Sequence, residues 1–163
     1  MKFKGFKIIF WLFALGAFLF AQNYSLSLTT NFDPNRSVNW NLAVEINGIQ
    51  NGERGIALSF PASRNFVPVQ IKSGDRSYWL KEADTYPDSD RVIHWEKTDS
   101  LMILRFAQNF SAPAGKLTVF LNLANEGQRK TNGKLKLMAL LARGQLGAIL
   151  SQIEFQIKQS VTR

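Results

Sequence analysis

The amino-acid sequence predicts an all-β sandwich behind an N-terminal export signal. Three observations predict it. Apolar residues recur at spacing two in run after run, turn-forming residues separate the runs, and the first seven residues carry three lysines and lead into an unbroken apolar stretch. A strand points residues i and i+2 to one face, so an apolar period of two marks a strand that buries one side.

The N-terminus comes first. "MKFKGFK" holds Lys2, Lys4 and Lys7 and no acid, and "IIFWLFALGAFLFA" follows. That apolar run, roughly 14 residues, matches the apolar region of a signal peptide and is short for a membrane span. Polar sequence opens at Gln22, which places cleavage after Ala21, although Leu19 is large for its position before the cut. Residues 1–21 therefore read as a signal peptide and 22–163 as one domain, with an uncleaved N-terminal membrane anchor as the alternative. No membrane span is expected once the signal is cleaved. The chain has no cysteine, so neither disulfides nor a cysteine-borne lipid anchor are available. About 140 residues bury enough core to fold without disulfides. The formal charge of +8 includes the three N-terminal lysines, which leaves about +5 on the domain. Both signs are scattered without a long basic run, which argues against nucleic-acid binding.

The strands follow in order. Tyr24, Leu26 and Leu28 share a face. In "VNWNLAVEINGIQNGERGIALSFP", residues 38–61, Val38, Trp40, Leu42, Val44 and Ile46 share a face, a polar turn intervenes, and Ile56, Leu58 and Phe60 alternate again. The stretch reads as a strand pair. Phe66 leads into Val67, Val69 and Ile71. Leu117, Val119, Leu121 and Leu123 form another run, as do Leu135, Leu137, Ala139 and Leu141, and finally Ile149, Ile153, Phe155 and Ile157. "NGIQNGERG", "KSGDRS", "SAPAG" and "NEGQRKTNG" supply Gly, Asn and Pro for tight connections. "KLKLMALLARGQLGAIL" competes as a helix through its Leu, Met and Ala, but Gly144 and Gly147 favour strands. Pro61 and Pro68 bracket a kink at 61–65 where the chain is expected to change partners or sheets.

"LSFPASRNFVPVQIKSGDRSYW", residues 58–79, carries Leu58, Phe60, Phe66, Val69, Gly74 and Trp79 in an apolar–aromatic–hairpin–Trp order. "FAQNFSAPAGKLTVFLNL" adds Phe106, Gln108, Pro113 and Gly115. This pattern resembles the intracellular proteinase inhibitor (BsuPI) family. Lys116 stands where that family carries an acid, and Lys134 and Leu135 where it has Thr-Tyr. The resemblance implies an immunoglobulin-like antiparallel β-sandwich of about seven to nine strands. It also implies inhibition of a serine protease, which for an exported chain means an extracytoplasmic one. It supplies no inhibitory residues.

The candidate sites are few. The loop "EADTYPDSD" gathers Glu82, Asp84, Asp88 and Asp90 around Tyr86. Hard cations take such oxygen ligands, but the loop lacks the order and glycine of an EF-hand, so a solvated acidic loop is the reading. His94 is the single histidine. Beside Trp95 in a strand it reads as a packed or edge residue, and one His without Cys gives no zinc site. Trp40, Tyr78, Trp79, Tyr86 and Trp95 are candidates for a sugar-stacking surface. Trp40 lies on a core face, Tyr78 and Trp79 must point to opposite faces, and Tyr86 is the best candidate for an exposed ring.

The expected function is an exported, non-enzymatic sandwich that binds another macromolecule through its loops and needs no cofactor. The loops 82–90, 112–115 and 125–133 are the contact candidates; Arg129 and Lys130 would suit a trypsin-like pocket, but a solvated basic hairpin is the preferred reading there. The partner would be an extracytoplasmic serine protease or an envelope component. The alternatives are a structural or adhesive module of the cell envelope and a carbohydrate-binding module. Location would be periplasmic or extracellular.

Overall fold

A computed structural model describes residues 23–31, 39–60, 66–98, 100–124 and 130–158. The export segment, Val38, the 61–65 kink and Arg129 lie outside the described residues, as do the side chains of Trp40, Lys130 and Ile157. In chain order the strands are β1 (Ser25–Asn31), β2 (Asn39–Asn47), β3 (Gly55–Ser59), β4 (Phe66–Ser73), β5 (Arg76–Glu82), β6 (Val92–Lys97), β7 (Leu101–Phe106), β8 (Lys116–Ala124), β9 (Lys130–Leu140) and β10 (Leu146–Lys158). The all-β sandwich read from the alternation is the fold, with ten strands rather than seven to nine.

Neighbouring strands run β1-β2-β8-β4-β5-β6-β7-β3-β9-β10. The first sheet is β1, β2, β8 and β4; the second is β6, β7, β3, β9 and β10. Strand β5 belongs to both. Arg76–Tyr78 pair antiparallel with Ile71–Ser73 of β4, and Trp79–Glu82 pair with Val92–Trp95 of β6. The terminal strands β1 and β10 approach each other on the opposite side and narrow the opening between the sheets.

Alternation explains the core. Leu42, Val44 and Ile46 face inward, opposite Leu121, Val119 and Leu117 of β8. From the second sheet Ile56, Leu58, Met102, Leu104, Leu135 and Leu137 meet them. Each such side chain, fully buried, stabilises the fold by about 1.5–3 kcal/mol relative to exposure. Phe106 stacks on Phe110 with ring centroids 4.1 Å apart, and Phe60 on Phe66 at 3.8 Å.

Four sequence expectations are corrected. The pairing of β5 with β6 is parallel, whereas an antiparallel sandwich was expected. The chain must therefore return from Glu82 to Val92 over the outside of the sheet instead of making a hairpin. The runs on either side of the 48–54 turn are not partners: β2 lies in the first sheet and β3 in the second. A seven-residue connection crosses between sheets where a two-residue turn would have paired them.

The other two corrections are β-bulges. One lies between Pro68 and Gln70 of β4, opposite Leu121 and Phe120 of β8. The extra residue flips what precedes it, so Phe66 and Pro68 are buried while Val67 and Val69 are 44% and 53% exposed. Pro68 is tolerated because β5 pairs only with Ile71–Ser73, leaving one side of β4 there without a ladder to break. Further register shifts separate Leu146, Ile149 and Ser151 of β10. They turn Ile149 outward, 51% exposed, and set Leu150 against the core in its place.

The competing helix at 135–150 is the β9–β10 hairpin. Its turn is closed by Leu141 N–H donating to Gln145 O at 2.8 Å. The chain changes sheet between β3 and β4, as the bracketing prolines suggested.

Candidate functional site

The acidic loop is a strap. Because β5 and β6 are parallel, residues 83–91 run back over the outer face of the second sheet. His94, outward-facing and buried, donates from Nδ1 to the Thr85 carbonyl at 2.8 Å. That donor role follows from the partner, since a carbonyl only accepts. Arg105, also outward-facing and buried, lies 3.5 Å from the Ala83 carbonyl and donates to Glu96 Oε2 at 2.7 Å. The Arg54 guanidinium lies over the Tyr86 ring, 4.6 Å from its centroid. Trp79 N–H donates to Arg91 O at 2.9 Å and Ala83 N–H to Trp95 O at 3.0 Å, fixing both ends of the strap.

This placement sorts the predicted contact residues. Glu82, Asp84 and Asp88 are exposed and Asp90 is half-buried. Among the described residues no three acidic or metal-ligating side chains gather around a point. Tyr86, expected as the exposed ring, is half-buried under Arg54, and its hydroxyl is buried with no hydrogen-bond partner among the described residues. Its two neighbours explain the difference: Thr85 is bound to His94, and Pro87 is buried, so the ring between them is drawn onto the sheet.

The other two candidate loops are also constrained. Pro113–Gly115 forms one 3-10 turn, and Gly115 O accepts from the N–H groups of Gly48 and Ile49, both at 3.0 Å. Gly48 holds φ at +97°, a left-handed conformation that glycine adopts without strain. The 125–133 loop is shorter than expected, because Lys130–Gly133 already belong to β9 and Lys130 pairs with Lys158 of β10. The shallow dimple beside Phe60, Phe66 and Met102 encloses no space large enough for a water molecule, so it is no ligand pocket.

The prominent exposed feature is a sheet face. Tyr78 and Trp79 do point to opposite sides: Tyr78 is buried, its hydroxyl donating to Ser111 O at 3.1 Å, while Trp79 is 77% exposed. Burial pushes the Tyr78 hydroxyl above the usual tyrosine range, with Arg76 opposing the shift. Trp79 is the aromatic that sequence reasoning underrated in favour of Tyr86. The signal was present: Trp79 shares a strand face with Ser77 and Lys81, both polar.

Trp79 and Gln70 lie one step beyond the Ile71–Tyr78 pair. From Gln70 the registered row continues through Phe120 and Ala43 to Thr29. The row beside it runs Ser77, Lys72, Thr118, Glu45 and Ser27. Val67 pairs with Asn122 on the other flank. The outer face of the first sheet thus carries amides and hydroxyls together with the apolar Val67, Val69 and Phe120, and Trp79 follows where β5 passes into the second sheet.

The second sheet carries a different outer row, Ile149, Met138, Ala57 and Ile103. Ala57 and Ile103 cluster there with Leu140 outside the main core.

No family model and no curated protein matches the chain. Solved structures do. The chain is similar to the collagen-binding domain of a Staphylococcus aureus adhesin, with TM-score 0.49, 10% identity, and 82% of this chain against 97% of that one. It is similar also to the N-terminal domain of the Streptococcus gordonii adhesin Sgo0707, with TM-score 0.46, 10% identity, and 86% of this chain against 32% of that one.

Proposed function

We propose that the protein is an exported binding module of the cell envelope or cell surface, adhesive in character, which catalyses no reaction and binds through a sheet face instead of its loops. One observation carries the reading: Trp79, 77% exposed, and Val67 and Val69, 44% and 53% exposed, all point outward from the adjoining strands β5 and β4. Exposed apolar residues gathered on one side of a sheet, within a polar surround, mark an interaction site. Export rests on the N-terminal lysines and apolar run, and the mature chain should begin at Gln22. Sequencing of exported protein checks this, and a chain still beginning at Met1 would indicate an anchor.

Inhibition of an extracytoplasmic serine protease is the second reading, resting on the pattern of residues 58–79. It is less favoured, because a loop that enters a protease cleft must project, whereas 83–91 is held against the sheet at His94.

The test displays the full chain on a bacterium that lacks it and measures retention on surfaces coated with collagen, other proteins or glycans. Retention on one class, lost with Trp79→Ala, supports the adhesive reading. No Trp79-dependent retention anywhere, with dose-dependent inhibition of an envelope protease, would replace it with the inhibitor reading.

A further inference from the structure

We infer that two copies of this chain join edge to edge along β10, so that the partner for this flank of the sandwich is the protein itself.

The flank is open. Strands β1 and β10 end the strand order, and among the described residues no strand pairs with the outer edge of either. An unpaired edge presents a row of N–H and C=O groups that another strand can take up. The inward-pointing side chains agree. Leu42, Val44 and Val119 of the interior strands are almost wholly buried. Tyr24 and Leu28 at one edge, and Leu150, Ile153 and Phe155 at the other, pack on the core but are only half-buried. A second sheet edge laid alongside removes that apolar surface from water.

Natural edges refuse partners through proline, bulges and charge. The free stretch of β4, Phe66–Gln70, has two of these, Pro68 and the bulge beside it. Strand β10 lacks them beyond its own bulges: Ser151–Lys158 pair without a break against Leu137–Lys130, and no proline interrupts them. The charges on β10 are Glu154, bridged to Lys134 at 3.2 Å, and Lys158 at its end. Strand β1 has neither charge nor proline. Behind these edges stand Lys130 and Lys136 on β9 and, on β2, Glu45, which is held by Lys116.

The pair of edges decides the occupant. Strands β1 and β10 belong to different sheets yet approach each other on one flank. An extended peptide completes one edge. A second copy offers both, at the same spacing. A twofold axis normal to the sheets sets β10 antiparallel to its counterpart and brings β1 toward its own, a self-complementary contact. The two Glu154 carboxylates oppose each other only if the axis passes through that residue. Such an axis keeps like faces on like sides. Both copies then turn the exposed Val67 and Val69 the same way, and two contacts meet one coated surface together, which strengthens attachment.

The chain has no cysteine, so an introduced one is the sole thiol. The experiment expresses full-length chains carrying Ser151→Cys, Gln152→Cys or Glu154→Cys singly, with Val69→Cys on β4 as control. Intact cells are treated with a membrane-permeant thiol oxidant and run on non-reducing gels. A disulfide-linked species of doubled mass is expected from the β10 positions and not from the control. Ile153→Lys, which points a charge inward from the edge, should abolish it in the best-linking chain. Gln152→Glu should also weaken linkage through Glu154→Cys, and it faces Lys136 in its own chain, so the fold is kept. Thermal melting checks that both variants fold. The inference is overturned by no dimer at any β10 position, by equal dimer at Val69→Cys, or by a dimer that survives both edge substitutions. Single copies that still adhere through Trp79 would overturn the dimer alone. A dimer without Trp79-dependent retention would overturn the adhesive reading alone.

Discussion

The Tyr24 hydroxyl donates to both carboxylate oxygens of Glu53, at 3.1 and 3.2 Å, and so ties the chain leading into β1 to the turn that crosses between the sheets. Gln50 N–H adds a third bond, to Oε2 at 3.0 Å. Burial nevertheless pushes the Glu53 carboxyl above the usual range, outweighing the hydrogen bonds that pull it down. Burial and the nearby Glu53 charge push the Tyr24 hydroxyl up as well.

The folded state therefore holds the Glu53 proton more tightly than the unfolded chain does. Its contribution to stability is fully present below the ordinary glutamate range and is lost as pH rises through the raised folded value. Glu53→Gln keeps acceptor and shape but cannot ionise. Urea midpoints from pH 4 to 8 should show the parent losing stability relative to Glu53→Gln as pH rises. A parent that gains on the variant over that window would show that the hydrogen bonds outweigh burial.

Glu96 neutralises a buried guanidinium at 2.7 Å. Glu96→Ala leaves Arg105 buried with only the 3.5 Å carbonyl contact to Ala83 among the described residues. The expected loss is about 1–3 kcal/mol. Restoring much of it with Arg105→Met in the same chain, measured by denaturation, would show that the cost is the orphaned charge and not the lost contact. No recovery would count against that account.

His94→Ala should free the strap without opening the core. Amide exchange at residues 83–91 should quicken, while β2 and β8 stay protected. Loss of protection throughout would mean that the imidazole supports the sandwich itself.

Leu42→Ala should cost about 2–5 kcal/mol, as for a buried leucine. Val69→Ala, on the outward side of the β4 bulge, should stay within about 0.5 kcal/mol. Comparable losses at the two sites would contradict the register across the bulge.

Gly55→Ala should be poorly tolerated. A Cβ there would lie 2.7 Å from Leu140 Cδ2 and against the Leu104 carbonyl, so backbone must give way. About 1–3 kcal/mol is expected from such overpacking, read from the thermal midpoint.

The strands were legible wherever alternation ran unbroken. Leu42, Val44 and Ile46, or Leu117, Val119 and Leu121, state both the strand and its inner face, and the opposed directions of Tyr78 and Trp79 follow from adjacency alone. Bulges were not legible, because an inserted residue leaves no hydropathic mark, and Val69 and Ile149 read as core when they face solvent. Partner choice was not legible either. Nothing in "NGIQNGERG" says that its flanking strands lie in different sheets, since their partners β8 and β9 are far along the chain. The exposed apolar face was missed for the same reason. Val67, Trp79 and Phe120 come from three strands, and only the register brings them to one side.

Strand order also governs when the protein acquires its shape during synthesis. The ribosome releases β2 early, but its central partner is β8, with Trp40 beside Leu123 and Ile46 beside Leu117. The second sheet waits longer, for β9 to reach β3. Until roughly residue 124 has emerged, only the β1–β2 and β4–β5 hairpins and local segments of the second sheet can form, and small pieces of sheet are marginal in water. A nascent chain arrested at residue 115 should be digested as readily as an unfolded one, and protease resistance should appear only once β8 and β9 are out. A polypeptide that remains open for most of its translation stays narrow enough to be threaded through a translocation pore, which suits the export proposed above.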